Sequence, residues 1–157
     1  MKAAILTISD RCVRGEQEDL TGPALRDSLA AHGSQVVELA MVPDEVERIS
    51  AELLRLTDEL GVELVLTNGG TGFGPRDFTP EATQTVLDRV APGFPEAMRT
   101  GSLKKTPTAM LSRGTAGLRG RTLIVNLPGS PKGAIECLEI LYPVLDHAAE
   151  MVAGRGH

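Results

Sequence analysis

The chain has 157 residues, 41% hydrophobic and 24% charged, a balance that suits one soluble domain (1–157) with a full core. Its net charge of −5, with three Phe, one Tyr and no Trp, argues against a surface that coats nucleic acid or stacks bases. Cys12 and Cys137 form no CxxC pair and the three histidines are scattered, so two reduced thiols and no zinc-type cluster are expected.

The first apolar run, residues 3–8, reads as a buried strand ending in Ser9-Asp10-Arg11. That run is too short for a secretion signal, and no stretch approaches the roughly 20 apolar residues of a membrane span, so a cytoplasmic protein is expected. A polar segment leads to Gly22, and Pro23 opens a helix that Gly33 closes. Residues 35–41 form a second strand. Pro43-Asp44 precedes a helix from Glu45 to Leu60, with Ile49, Leu53, Leu56 and Leu60 on one face and Gly61 at its end. Asp44 stands where an N-cap belongs, with Glu47 as capping-box partner; a cap of this kind can also bind a ligand.

Residues 62–67 make a third strand, which runs into Gly69-Gly70-Thr71-Gly72 and Gly74-Pro75-Arg76-Asp77. A helix from Pro80 to Val90 follows, with Thr79 as its expected N-cap. Pro92-Gly93-Phe94-Pro95 interrupts the pattern before a short helix at 96–101. Residues 102–120 read as an irregular loop or short helix pair over the site. Residues 121–127 are a fourth strand, and Pro128-Gly129-Ser130-Pro131 opens a long helix to Val152, with a frayed tail beyond. Strands separated by crossover helices specify an α/β fold, a mostly parallel sheet with helices on both faces.

Ligands in such folds bind beyond the carboxyl ends of the strands. Every suggestive cluster here follows a strand: Ser9-Asp10, Asp44, the glycine loop with Arg76-Asp77, and Pro128 to Pro131. Glycines let a backbone approach a ligand, a helix N-terminus offers free N–H groups to an anion, and Arg76 is suited to grip phosphate. The loop lacks the Lys-Ser/Thr of a P-loop and has Pro75 in place of the third glycine of a dinucleotide fingerprint. Asp10, Asp44 and Asp77 on one rim suggest magnesium riding on a polyphosphate, such as a nucleoside triphosphate, and chemistry at phosphorus. Each has a plainer reading: an Asx-turn for Asp10, a cap for Asp44, a cap or a pair with Arg76 for Asp77, and a tight βα turn for the glycines. By the same reasoning Lys104, Lys105 and Arg113 read as solvated surface, Asn126 as satisfying backbone at a strand end, and His147 as structural. Nothing in its spacing marks Ser112.

TNGGTGFGPRDFTPEAT, with TISDRCVRGEQEDLTGPAL before it and MLSRGTAGLRGRTLIVNLPGSPKGAIECLE after it, resembles the MoaB/Mog family of molybdenum-cofactor biosynthesis, whose domain is also the G domain of gephyrin. The resemblance runs from about residue 3 to residue 150. It implies a three-layer α/β/α fold, typically trimeric, and molybdopterin adenylyltransferase activity with ATP as co-substrate and Mg2+. It implies hand-over of the product to a separate molybdenum insertase. The alternative within the fold is a non-catalytic molybdopterin carrier. By resemblance, Asp44, Asp77 and Ser112 are the functional residues, with Asp44 and Asp77 on the metal. Ser9, Asp10, Gly69, Gly70, Thr71, Gly72, Arg76, Pro128, Gly129, Ser130 and Pro131 contact nucleotide or pterin. The chain departs from the common pattern at Asn68, Phe78 and Ser130.

Overall fold

A computed structural model of the chain describes residues 1–156. Six strands form one sheet in the order β2-β1-β3-β6-β5-β4. β1 (Lys2–Ile8), β2 (Gln35–Val42), β3 (Leu64–Asn68) and β6 (Thr122–Leu127) are parallel, with Ile5 opposite both Leu39 and Leu66, and Leu66 opposite Val125. β5 (Ala116–Arg119) and β4 (Arg89–Val90) extend the β6 edge antiparallel. The parallel strands β1, β3 and β6 are almost wholly buried, because both of their faces are covered, and their middles are apolar.

One face carries α2 (Thr21–Ala31), α5 (Gly93–Leu103) and α6 (Pro131–Val152). There Leu25, Leu29, Met98, Leu138 and Leu141 pack on Ile5, Leu66 and Val125. The other face carries α3 (Val46–Leu54) and α4 (Thr79–Val86), with Ile49, Leu53, Ala82 and Val86 on Leu6, Val65 and Ile124. Helices on both faces of a mostly parallel sheet are the expected α/β/α layering. The chain runs one way from β1 to β2 and the other way from β1 to β3, so the strand order reverses between β1 and β3. Their carboxyl ends part there, which is where such sheets bind ligands.

Several elements differ from the sequence reading. The helix that opens α2 begins at Thr21 rather than Pro23, since the Asp19 carboxylate accepts from the Gly22 N–H and supplies the start signal two residues early. The helix expected over 45–60 is α for its first half and then widens into a π turn at Arg55–Glu59, closed by Leu60 N–H to the Arg55 carbonyl. There the Thr57 hydroxyl donates back to the Leu53 carbonyl at 2.9 Å and competes with the helical bond. Glu45, not Asp44, is the N-cap of α3, and no side chain caps it; the expected capping box is absent.

α4 stops at Val86 instead of Val90. Thr79 is its first helical residue rather than its cap, and its hydroxyl donates to the Gly69 carbonyl at 2.9 Å. Arg89–Val90 turns extended to pair with β5, a partner far along the chain. That pairing needs Gly117, because a Cβ there would stand 2.4 Å from the Arg89 carbonyl. The helix expected at 96–101 spans Gly93–Leu103, with Pro95 in its first turn, where a missing N–H costs nothing. The segment 102–120 holds a 3₁₀ turn at Pro107–Leu111 as well as β5. Among the described residues no helix is long and apolar enough to cross a membrane. His147 is exposed rather than structural.

Candidate active site

Two groups of the expected residues surround the cleft between the carboxyl ends of β1, β3 and β6. The first borders a cavity of about 400 Å3 lined by Ser9, Gly69, Gly129, Ser130 and Pro131 together with Thr7, Cys12, Asp19 and Thr21. Gly69 sits at φ +97°, and a Cβ on it would fall 2.3 Å from the Ile8 carbonyl; only glycine lets this loop cross so close to the end of β1. Gly129 lies against it, since a Cβ there would stand 3.3 Å from the Gly69 Cα. The Thr21 hydroxyl holds the Gly129 carbonyl at 2.7 Å. Ser130 caps α6 by accepting from the Gly133 N–H, and Ser9 caps the four-residue turn α1 (Asp10–Val13) by accepting from the Cys12 N–H.

The second group sits around the glycine loop. Asp10 and Asp44 exchange bonds: the Asp10 N–H donates to Asp44 Oδ2 at 2.8 Å, and the Asp44 N–H donates to Asp10 Oδ1 at 3.0 Å. Asp10 is therefore a clasp between the ends of β1 and β2 rather than an Asx-turn. Arg76 does not pair with Asp77; it forks onto Asp10, Nε to Oδ2 at 2.6 Å and Nη2 to Oδ1 at 3.2 Å. This arginine holds the Asp10 carboxyl below its usual range. Asp77 closes its own turn by accepting from the Gly74 N–H at 2.8 Å.

Asp44 and Asp77 meet the glycine loop from different positions. A Cβ on Gly70 would stand 3.1 Å from Asp44 Oδ1, and one on Gly72 would stand 2.9 Å from Asp77 Oδ2. Burial, followed by the charges of Asp10 and Asp77, pushes the Asp44 carboxyl above its ordinary value; the bond from the Asp10 backbone pulls the other way. A divalent cation at this spot would relieve that repulsion. Among the described residues no cluster of three or more His, Cys, Asp or Glu stands ready to hold a metal. Two carboxylates, Asp44 beside the glycine loop and Asp77 at its end, are instead the donor set of magnesium that completes its shell on phosphate and water, so the residues fit such an ion.

Ser112 follows the 3₁₀ turn and borders a second, smaller cavity of about 40 Å3 with Pro128, Arg99, Asn126 and Cys137. Its hydroxyl accepts from the Gly114 N–H at 3.3 Å, and its carbonyl accepts from Arg99 at 3.2 Å. The Thr71 carbonyl accepts from the Arg113 N–H at 2.8 Å, which brings the Ser112 segment against the glycine loop. Asn126 is buried and fully used, donating to Thr67 and Thr83 and accepting from the Thr115 N–H. Of the basic residues read as surface, Lys104 is exposed and Lys105 reaches Glu136 at 3.6 Å, but Arg113 is a structural tie. Both cysteines are free.

Residue-by-residue reading missed the floor of the larger cavity. Asp19 accepts from the Thr7 hydroxyl at 2.7 Å, and Asn68 donates to the same hydroxyl at 3.0 Å. Asn68, a departure from the family pattern, thus has a place in the β1–β3 seam. The one local hint at Asp19 is an acid three residues before Gly22 in a glycine-bearing segment.

A family profile described as "Probable molybdopterin binding domain" matches residues 4–147. The molybdopterin adenylyltransferase of Helicobacter pylori is 43% identical over 153 residues, 96% of this chain and 87% of that protein. That of Escherichia coli K12 is 45% identical over 141 residues, 88% of this chain and 72% of the relative. Among solved structures, the molybdopterin biosynthesis enzyme MoaB from Thermus thermophilus superimposes with a TM-score of 0.92 at 54% identity, covering 98% of this chain and 96% of that one.

Proposed function

The chain belongs to the MoaB/Mog family of molybdopterin-binding proteins of molybdenum-cofactor biosynthesis, and from that premise we propose that it binds molybdopterin at this rim and adenylylates it with Mg-ATP. The observation that carries the reading is the placement of Asp44 and Asp77 at the glycine loop beside the large cavity. In the proposed reaction a terminal phosphate oxygen of molybdopterin bonds to the α-phosphorus of ATP. The bond from that phosphorus to the bridging oxygen breaks, and pyrophosphate leaves with the electron pair. Such a transfer asks a protein for positioning and charge neutralisation more than for covalent chemistry.

Each residue then has a part. Asp44 and Asp77 would hold magnesium, which when bound neutralises the polyphosphate. The backbone of Gly69 to Gly72 cradles phosphate oxygens, and the Pro128 to Pro131 turn with the start of α6 offers N–H groups to a second anionic group. Ser112, beside the smaller cavity, orients the attacking phosphate. Arg76 spends Nε and Nη2 on Asp10, so it grips phosphate either through Nη1 or by exchanging one anion for another. The reading implies molybdopterin and ATP as the ligands of the transfer itself, a homotrimer as the assembly, and a passing contact with a separate molybdenum insertase.

A second reading, pterin binding and carriage without adenylyl transfer, draws on the higher identity with a protein named MoaB than with those named adenylyltransferase. On identity alone it is the better supported of the two. Pyrophosphate release from Mg-ATP, measured with and without molybdopterin, separates them. Release that requires both pterin and magnesium supports the transferase; tight pterin binding without release moves the carrier reading to the front.

A further inference from the structure

Arg113 stands outside the set of residues that the carboxylate chemistry calls for, yet it makes more bonds to the glycine loop than any of them. Its N–H donates to the Thr71 carbonyl at 2.8 Å. Its Nε donates to the Gly72 carbonyl at 2.7 Å, and its Nη2 donates to the Asp77 carbonyl at 2.7 Å. Both terminal nitrogens fork onto the Glu81 carboxylate in the first turn of α4, at 2.8 to 3.0 Å. A single planar group therefore spans the near side of the glycine loop, its Asp77 end and the helix that follows. It sits one residue from Ser112, whose carbonyl is held separately by Arg99.

We propose that Arg113 is the positioning residue that sets the distance between Asp77 and Ser112, by bracing the 71–77 loop against the segment that carries the serine. The inference rests on the adenylyl-transfer reading of the same site. The loop needs such a brace. Gly72 and Gly74 give it little intrinsic stiffness, and Phe73 at its tip is 71% exposed, so no packing holds it. The Asp77 side chain fixes only the Gly74 N–H within the same turn, and the Arg76 fork ties the loop to Asp10 at the end of β1; neither locates it relative to the serine segment. The Arg113 guanidinium supplies the reference on the serine side. Lysine would not replace it: an ammonium is a point donor on a flexible stem and cannot serve Gly72, Asp77 and Glu81 together.

The test compares Arg113→Ala, Arg113→Lys and Glu81→Gln with the wild type in three measurements: pyrophosphate release from Mg-ATP and molybdopterin, amide hydrogen exchange over 69–77 in the free protein, and activity with added guanidinium. A misplacement of about 1 Å is enough to cost on the order of 100-fold in turnover. Arg113→Ala is expected to lose about that much in kcat with little change in KM for Mg-ATP, and to exchange faster at 71–77. Guanidinium is expected to restore part of its rate, which a general loss of stability would not allow. Arg113→Lys should behave like Arg113→Ala without the rescue, and Glu81→Gln should show a smaller change in the same direction. Wild-type kcat and exchange in Arg113→Ala would overturn the proposal, as would lost activity with unchanged loop exchange. Should Arg113→Ala fail to fold, Arg113→Lys and Glu81→Gln decide on the same readouts. If the wild type itself releases no pyrophosphate, the transferase reading fails, and loop exchange with molybdopterin affinity then decides the brace: faster exchange and weaker binding in Arg113→Ala uphold it, and wild-type values for both overturn it.

Discussion

Asp44 and Asp77 flank one glycine loop but are anchored in opposite ways. On the β1–β2 side, Asp44 is held by a reciprocal pair of backbone-to-carboxylate bonds with Asp10 across 34 positions of sequence. Both partners stand at the ends of parallel strands in the core, so the carboxylate's place is set by the sheet. The cost is electrostatic: a partly buried acid lies beside two others. On the β3 side, Asp77 closes its own turn, and the turn is tied down by side chains alone, Arg76 on Asp10 and Arg113 on the Gly72 and Asp77 carbonyls. Its position is thus inherited from a loop. The contrast separates two ways of placing a charge, one rigid and poorly solvated, the other adjustable and dependent on its supports.

The sharpest way to break the comparison is Asp77→Ala. Removing a group that positions charge at a transition state costs about 10²- to 10³-fold or more in turnover, and the fold should survive because the lost bond is local to an exposed turn. Pyrophosphate release and a thermal melt, run together, check both halves; normal release by the variant would end the role assigned to Asp77.

Gly69→Ala acts next, through stability. The residue needs positive φ, and its Cβ would collide with the Ile8 backbone, so a loss of roughly 1–3 kcal/mol is expected from strain alone. Denaturant midpoints give the value. A midpoint equal to wild type would mean that the loop is less tightly set against β1 than the Thr79 and Leu127 bonds to it require.

The smallest effect on stability tests the strand-end side. Because Asp44 is harder to ionise in the folded state, the native form keeps a proton longer than the unfolded chain, and stability falls as pH rises from about 3.8 through its raised value. Asp44→Asn keeps an acceptor for the Asp10 N–H and removes that loss, so its melting temperature should exceed the wild type's at neutral pH while magnesium-dependent turnover disappears. Asp10 has the opposite sign. Its Arg76 bond lowers its pKa, so its contribution is present above about 3.8 and is lost as pH falls through the lowered value. Arg76→Ala should flatten that acid limb of a pH series of melts by lowering the melting temperature above about 3.8 and leaving it unchanged at the acid extreme. Melting curves at pH 3 to 8 separate the two; an unshifted Asp44→Asn at pH 7 would show that the carboxylate carries no penalty.

Much of this architecture was legible in the chain. Apolar runs ending in Gly, Pro and Asp fall at residues 3–8, 35–41, 62–67 and 121–127, and all four became parallel strands with the chemically suggestive residues beyond their ends. Alternating strands and crossover helices leave little choice but an α/β sheet, and the motifs from Ser9 to Pro131 point to one family. That information is local: periodicity, a glycine at a turn, a proline at a helix start.

What only the tertiary structure decided is which side chains reach one another. The sequence placed Asp10, Asp44 and Arg76 on one rim, but a carboxylate accepts from any N–H that comes within about 3 Å. Asp10 therefore clasps Asp44 and takes Arg76, neither capping box nor Arg76–Asp77 pair forms, and Arg113 turns from surface to brace. The antiparallel edge at Arg89–Val90 and Ala116–Arg119 was hidden for the same reason, since two short strands have no periodicity of their own until the sheet supplies a partner. Patterning settles which elements form and in what order; the bonds between loops depend on distances that exist only once the strands have paired.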